Sequence, residues 1–198
     1  MHARYVVKDS FYKKAKKEGY RARSAYKLEE IQAKFRVIKK GDRILDLGAA
    51  PGSWLQLESA LVGEKGLVVG LDLLPIAPVA TANVRLVKAD IRELDVDRFL
   101  GELSIPYFDV VTCDIAPNLS GIRETDNARI GELYRSVKAV VGAALKQGGS
   151  FIFKSFFIEG FKATTEDLKS LFAKVSIYKP AASRGVSSEV YLICTEKK

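Results

Sequence analysis

The stretch LDLGAAPGSW, residues 45–54, closes a short apolar run with a loop that is nearly free of side chains. Asp46 lies near the end of the predicted strand. Gly48 and Gly52 remove the side chains that would otherwise keep a ligand away from the backbone. A buried strand that runs through such a loop into a helix is typical of an α/β sheet whose ligand binds beyond the carboxyl ends of the strands. We therefore take this loop as the starting point for a candidate site.

Strands and helices alternate along the rest of the chain, which predicts a mostly parallel sheet with helices on both faces. The short segment AASRGVSS cannot hold a helical crossover, so the last two strands should be antiparallel neighbours. The predicted helices cover residues 23–38, with Ser24 as N-cap, and 53–62, 126–145 and 164–174. The predicted strands cover residues 42–48, 66–74, 84–90, 107–114, 150–156, 175–180 and 188–195. No repeat or linker divides the chain, so we expect a single domain over residues 1–198.

The amino-acid composition argues against several classes of function. The only histidine is His2, which argues against a Ser-His-Asp site or a histidine-rich zinc site. The two cysteines lie in apolar runs and are expected to be reduced thiols of a cytosolic protein. No apolar run is long enough to span a membrane, and residues 1–20 have no apolar h-region, so we do not expect them to be a secretory signal.

The net charge of +8 is unevenly distributed. Residues 1–40 hold 13 Lys/Arg and 4 Asp/Glu, a net of +9, whereas the other residues hold 19 basic and 20 acidic side chains, a net of −1. Residues 1–20 also carry aromatic side chains among their lysines. This asymmetry indicates a polyanionic partner for the N-terminal segment, with a solvated basic helix as the alternative.

Acidic residues end four successive predicted strands: Asp46, Asp72, Asp90 and Asp114. The Gly-x-Gly-x-x-Gly fingerprint of dinucleotide sites is missing. Asp72 can accept hydrogen bonds from ribose hydroxyls, and Asp90 from a purine amino group. Any one acid is more often a turn or helix-cap residue. Four together favour a cationic nucleoside cofactor, and S-adenosylmethionine, with its sulfonium and ammonium groups, fits this pattern.

Two lysines and two acids form a second candidate set. Lys154 lies in the strongly apolar strand FIFKSFF, where a charged side chain must be paired or must snorkel to the strand end. A buried amine next to a second cation gives up its proton more readily and can act as a base. Lys27 could be that cation, while Asp114 and Glu189 would balance the charge and orient both amines.

These motifs together resemble the RrmJ/FtsJ family of S-adenosylmethionine-dependent RNA ribose 2′-O-methyltransferases. The resemblance runs from about residue 21 to residue 195, through RSAYKL, LDLGAAPGSW, GLDLLP, KADI, CDIAPNLSG, FKSFFIEGF and KPAASRGVSSEVYLI. Two departures stand out. Ser53 replaces a second glycine of the family pattern, and the segment SFFIEGF is more apolar than is typical of the bacterial members.

The resemblance implies a Rossmann-like methyltransferase fold with a seven-stranded sheet and an antiparallel last strand. It implies a catalytic tetrad with Lys154 as the main base, and cofactor contacts along the loop and the strand ends. The tetrad would be Lys27, Asp114, Lys154 and Glu189, and the cofactor residues Asp46, Gly48, Gly52, Trp54, Asp72, Asp90 and Asp114.

The implied reaction is methylation of a ribose 2′-oxygen, that of a uridine in large-subunit ribosomal RNA. The expected partner is RNA, without metal or membrane, for a protein that acts as a cytoplasmic monomer. Residues 1–20 would bind phosphates and stack on bases through Tyr5, Phe11, Tyr12 and Tyr20, and Arg184 would add a phosphate contact. Three alternatives remain: a tRNA anticodon-loop methyltransferase, a non-catalytic RNA-binding module and a nicotinamide-dependent reductase.

Overall fold

The computed structural model describes residues 10–117, 120–157, 160–183 and 188–198, with the backbone alone for residues 10–12. Roles predicted for Tyr5 and Arg184, and for the side chains of Phe11 and Tyr12, lie outside this description. The elements in chain order are α1 (Ser10–Glu18), α2 (Ala25–Phe35), β1 (Arg43–Leu47), α3 (Ser53–Val62), β2 (Leu67–Asp72), β3 (Val84–Lys88), α4 (Val96–Leu103), β4 (Phe108–Cys113), α5 (Arg123–Ala144), β5 (Leu145–Phe156), α6 (Phe161–Leu171), β6 (Phe172–Tyr178) and β7 (Glu189–Lys197).

One seven-stranded sheet organises the molecule, in the order β3-β2-β1-β4-β5-β7-β6. Strands β1 to β5 run parallel, and β7 lies antiparallel between β5 and β6. The predicted mostly parallel sheet and its antiparallel last strands are confirmed. The strand order reverses between β1 and β4, which is where ligands bind in sheets of this kind.

The sheet buries an apolar face on each side. Leu28 and Ile31 of α2 and Leu55 of α3 pack against one face. Helices α4, α5 and α6 pack against the other face, through residues that include Phe99 and Val137. Both faces are covered because the strands are apolar along nearly their whole length rather than at alternate positions. The prediction of helices on both faces is therefore confirmed.

Several local expectations were wrong. Ser24 does occupy the N-cap position of α2, but its side chain makes no capping hydrogen bond, and its hydroxyl pairs with that of Ser53 at 2.8 Å instead. Helix α4 was missed, although Asp95 caps it by accepting a hydrogen bond from the Arg98 N–H at 3.0 Å. Its eight residues are too few to give a clear helical period. Strand β5 also starts earlier than predicted, directly after α5 ends.

The two cysteines, Cys113 and Cys194, are buried and are not joined by a disulfide. Burial raises the pKa of each thiol to about 12, so both stay protonated and unreactive at neutral pH. Within the four described ranges, no helix is long and apolar enough to cross a membrane.

Candidate active site

A cavity of about 570 Å³ lies where β1 to β4 end. Gly48, Asp72, Asp90 and Asp114 all line it, as predicted for a site at the carboxyl edge of the sheet. Apolar side chains such as Leu133 form much of the rest of the wall, together with Arg92, Arg129 and Glu132. A volume of this size, with a few polar groups on an apolar wall, suits a nucleoside-sized ligand.

The loop after β1 is held in shape by backbone hydrogen bonds and by one carboxylate. Gly48 has a φ of +75°, and its N–H donates to the Leu71 carbonyl at 2.9 Å. The two oxygens of Asp72 accept from the N–H groups of Ala50 and Leu74, at 2.9 and 2.8 Å. Asp72 thus orders the loop while it lines the cavity, and each of its oxygens keeps a lone pair for a ligand hydroxyl.

Asp90 has a partner that the sequence analysis did not anticipate. The Arg92 guanidinium donates to both of its carboxylate oxygens, at 3.0 Å from Nε and 2.5 Å from Nη2. These hydrogen bonds lower the pKa of Asp90 to about 2, so the carboxylate is fully ionised at neutral pH. Arg92 also lines the cavity. The pattern D-x-R, with an arginine two residues after a strand-end acid, was the feature of the sequence that could have predicted this pairing.

Asp46 does not line the cavity. It is buried within the sheet face that packs on α3, where the Thr112 hydroxyl lies 3.1 Å from Asp46 Oδ1 and 2.8 Å from Glu58 Oε1. Burial and the neighbouring Glu58 raise the pKa of Asp46 well above its usual value, and burial raises the pKa of Glu58 to about 8. The pair therefore holds a proton at neutral pH, and the role of Asp46 in cofactor binding stays a prediction.

This buried pair makes the stability of the fold depend on pH. The pKa of Glu58 is about 8 in the folded chain and 4.5 when the side chain is exposed, so the folded state holds the extra proton between these values. The free energy of unfolding should fall as pH rises from about 4.5 to about 8. Glu58→Gln removes the titration of Glu58 and leaves that of Asp46, so it should lessen this fall and stabilise the fold at pH 8 by roughly 1–3 kcal/mol. Urea unfolding at pH 5 and pH 8 measures this difference.

The control is Glu64→Gln, which changes an exposed carboxyl in the turn after the same helix. It should leave the pH dependence of unfolding as it is in the unaltered protein. If Glu58→Gln also leaves that dependence unchanged, the pair does not share a buried proton.

Gly52 and Trp54 shape the site from outside the cavity. A Cβ at Gly52, whose φ is +98°, would lie 2.6 Å from the Arg21 guanidinium. That guanidinium donates to the carbonyls of Pro51 and Ala77, at 3.0 and 2.6 Å, and so ties the loop after β1 to the loop after β2. The Trp54 indole donates to the Ser24 carbonyl at 2.8 Å. Their predicted cofactor contacts stay predictions. Ser53 keeps a negative φ, so serine is compatible with this helix start.

The four residues of the predicted tetrad form two buried ion pairs. Lys27 Nζ lies 2.6 Å from Glu189 Oε1. Lys154 Nζ lies 3.1 Å from Asp114 Oδ1 and donates to the Asp114 carbonyl at 2.5 Å. Lys27, Lys154 and Glu189 are at most 9% exposed. Each buried charge therefore has an opposite charge in contact with it, which offsets the cost of removing it from water.

Two further residues join this site that the sequence analysis missed. Tyr191 is fully buried, and its hydroxyl donates to Asp114 Oδ1 at 2.5 Å while its ring lies 5.8 Å from Lys27 Nζ. Burial, Asp114 and Glu189 raise the pKa of Tyr191 well above its usual value, so the phenol stays protonated. The Ser183 hydroxyl donates to Glu189 Oε1 at 2.9 Å. Tyr191 lies two residues after Glu189 on one strand, and that spacing was a usable signal.

The environment of Glu189 keeps that carboxylate charged. Burial alone would raise its pKa, but the hydrogen bond and charge of Lys27, with smaller contributions from Ser183 and Lys154, bring the pKa below its usual value. Glu189 thus offers a fixed negative charge that holds Lys27 in place. Asp114 is the residue that belongs both to the ion pairs and to the cavity wall.

Comparisons with known proteins find similarity over nearly the whole chain. The family model for FtsJ-like methyltransferases matches residues 20–197. A ribosomal RNA large subunit methyltransferase E from Bdellovibrio bacteriovorus is 42% identical over 98% of this chain and 99% of its own length. A protein of the same name from Methanothrix thermoacetophila is 44% identical over 94% of this chain and 71% of its own length.

Solved structures show the same fold. A crystal structure from Plasmodium falciparum, assigned as a ribosomal RNA methyltransferase, superposes with a TM-score of 0.80 at 28% identity over 90% of this chain and 98% of that one. The fibrillarin/Nop5p complex superposes with a TM-score of 0.63 at 17% identity, over 90% of this chain and 85% of that one. The second match concerns the fold alone.

Proposed function

The chain belongs to the FtsJ-like methyltransferase family, and we propose that it transfers a methyl group from S-adenosylmethionine to a ribose 2′-hydroxyl, that of a uridine in large-subunit ribosomal RNA. The observation that carries the proposal is the position of Asp114. Its side chain contacts Lys154 and also lines the cavity, so a buried amine lies next to a nucleoside-sized site. That arrangement suits the deprotonation of a hydroxyl beside a bound cofactor.

The cavity fits the proposed cofactor in its chemistry. Asp72 would accept the ribose hydroxyls, and Asp90, held by Arg92, would accept an amino group of the base. Asp114 and Glu132 add negative charge to the wall, which suits a cationic ligand. S-adenosylmethionine, when bound, supplies an electrophilic methyl group on a positively charged sulfur.

The residues of the two ion pairs would handle the proton. The Lys154 amine would take the proton from the ribose 2′-hydroxyl, and that oxygen would form its bond to the donated methyl carbon as the bond from that carbon to sulfur breaks. Asp114 fixes the Lys154 amine through its side chain and its carbonyl, and Tyr191 fixes Asp114. Lys27, held by Glu189, provides the second cation of the site. Most of the acceleration should come from holding hydroxyl, amine and methyl donor in line.

A transfer assay with labelled S-adenosylmethionine tests the proposal. Unmodified large ribosomal subunits and unmodified tRNA are offered separately, and the product is digested in alkali. A 2′-O-methyl group blocks backbone cleavage, so label in an alkali-resistant dinucleotide proves ribose methylation and names the nucleotide. Label in tRNA would show that the substrate is tRNA, the alternative given above, and not ribosomal RNA. Binding of NAD without S-adenosylmethionine would contradict the proposed reaction.

We expect the basic helix α1 to contribute to RNA affinity through charge. Lys13, Lys16 and Lys17 are exposed on it, whereas Ala15 is buried against the domain. Changing these three lysines to glutamine should weaken binding of ribosomal RNA and lower the slope of log K against log salt by about 2, because each phosphate contact contributes about 0.7. Filter binding at several salt concentrations measures the slope.

The matched control changes Lys39, Lys40 and Lys65 to glutamine. These lysines are also exposed, but they lie at the opposite edge of the sheet, before β1 and β2. The control should keep the slope of the unaltered protein. Equal slopes for both triple variants would show that α1 is not a phosphate-binding segment.

A further inference from the structure

Exposed apolar side chains collect at the edge of the sheet that carries the site. In the described part of the chain, six large apolar side chains are exposed: Leu73, Leu74, Tyr107, Ile122, Phe157 and Ile177. Four of them follow the carboxyl ends of β2, β4 and β5, where the cavity and the ion pairs lie. Apolar groups left in water at a functional edge are typical of an interaction surface.

Phe157 is the member of this group that directly follows β5, the strand that carries Lys154. Register pairs Lys154 with Tyr191 and Phe156 with Glu189 across β5 and β7. The Phe157 N–H extends this ladder by donating to the Ser188 carbonyl at 2.9 Å. Phe157 is thus three residues beyond the proposed base on one strand, and it lies opposite the residue that precedes Glu189 on the other.

The Phe157 ring is exposed and also held in place. It is 55% exposed, and its centroid lies 4.7 Å from that of Phe161 at an interplanar angle of 60°. Phe161 begins α6, so this edge-to-face contact fixes the ring to a helix and leaves aromatic surface open to a ligand. An aromatic side chain that is fixed but uncovered is what base stacking requires.

The chemistry of the proposed RNA substrate indicates which group would contact the exposed face of the Phe157 ring. The 2′-hydroxyl is attached to the sugar carbon next to the one that carries the nucleobase, so a ribose placed at Lys154 brings bases to the rim of the site. We propose that Phe157 stacks on a nucleobase of single-stranded RNA at or beside the target nucleotide, a role that rests on the proposed function. Proteins that bind single-stranded RNA commonly stack its exposed bases on aromatic side chains.

Direct binding tests this role without any need for catalysis. The probes are a mixed-sequence oligoribonucleotide and its abasic counterpart, which keeps sugars and phosphates but has no bases. The unaltered protein should bind the first probe more tightly than the second in fluorescence anisotropy. Phe157→Ala should weaken binding of the first probe by about tenfold and leave binding of the abasic probe unchanged.

Three variants separate base stacking from a general apolar contact. Phe157→Trp should keep the preference for bases. Phe157→Leu, which is apolar but has no ring face, should lose it as alanine does. Tyr107→Ala, which changes an exposed aromatic residue just before β4 at the opposite edge of the sheet, should change nothing.

Equal weakening of both probes by Phe157→Ala, or full affinity in Phe157→Leu, would overturn the stacking role, and the second result would point to a protein surface as the occupant. Equal affinity of the unaltered protein for the two probes would overturn it as well. A failure of the proposed function looks different: the unaltered protein would give no alkali-resistant product, while the binding result could still be read.

Discussion

Lys154→Ala is expected to lower the rate of methyl transfer by roughly 10³-fold while the affinity for S-adenosylmethionine stays within about threefold. The physical reason is that the Lys154 amine contacts Asp114, which lines the cavity, whereas Lys154 itself does not line it. Its loss should therefore remove the proton acceptor and leave the cofactor contacts in place. Single-turnover transfer and calorimetric binding measure the two effects separately.

Lys154→Arg is the matched variant for this prediction. A guanidinium keeps the positive charge and the contact with Asp114, but it stays protonated in proteins and cannot accept a proton. If Lys154 acts as a base, arginine should be nearly as inactive as alanine. Recovery of most of the rate in Lys154→Arg would mean that charge alone is needed. Equal losses of rate and cofactor affinity in Lys154→Ala would mean that the lysine is structural.

Gly48→Ala should weaken cofactor binding by roughly 10- to 100-fold. The residue has a φ of +75°, and a Cβ there would lie 2.2 Å from Ile115 Cγ1. Alanine at such a φ is strained, and the added methyl group must push Ile115, which lines the cavity. Together these effects cost about 1–3 kcal/mol, and each 1.4 kcal/mol is tenfold in affinity. Calorimetry with S-adenosylmethionine measures the loss.

Two controls separate strain from crowding at Gly48. Gly63→Ala introduces a side chain at a φ of +68° with no atom within 4 Å of the new Cβ, so it should lower stability without changing cofactor affinity. The double variant Gly48→Ala/Ile115→Ala makes room for the methyl group and should recover part of the affinity. Full affinity in Gly48→Ala would show that the loop does not hold the cofactor.

The sequence was a good guide to the strands and to the residues at their ends. Continuous apolar runs predict buried parallel strands, and the carboxyl ends of such strands meet at one edge. That reasoning places Asp72, Asp90 and Asp114 on one cavity, and they do line it. It was a poor guide to α4 and to the start of β5, because short elements and abrupt helix-to-strand junctions carry little periodic signal.

Contacts between residues that are far apart in the chain could not be predicted from local sequence patterns. Asp46 lies near the end of β1, as the other predicted acids lie at the ends of their strands, but its side chain is buried in the packed face with Glu58 and Thr112. Whether a strand residue faces a cavity or a helix depends on twist, register and the helix above it. None of these is visible from spacing along the chain.

The sequence by itself determined the α/β class, and it predicted the sheet edge of the candidate site and the four ionisable residues of the proposed tetrad. Only the tertiary structure decided how they pair: Lys27 with Glu189, and Lys154 with Asp114. It also decided that Tyr191 donates a hydrogen bond to Asp114 and that the Arg92 guanidinium binds the Asp90 carboxylate. The physical reason is the separation along the chain of the residues that each interaction involves. Hydrophobic burial follows a repeating local pattern, whereas an ion pair or hydrogen bond depends on a few ångströms between atoms that the folded sheet brings together.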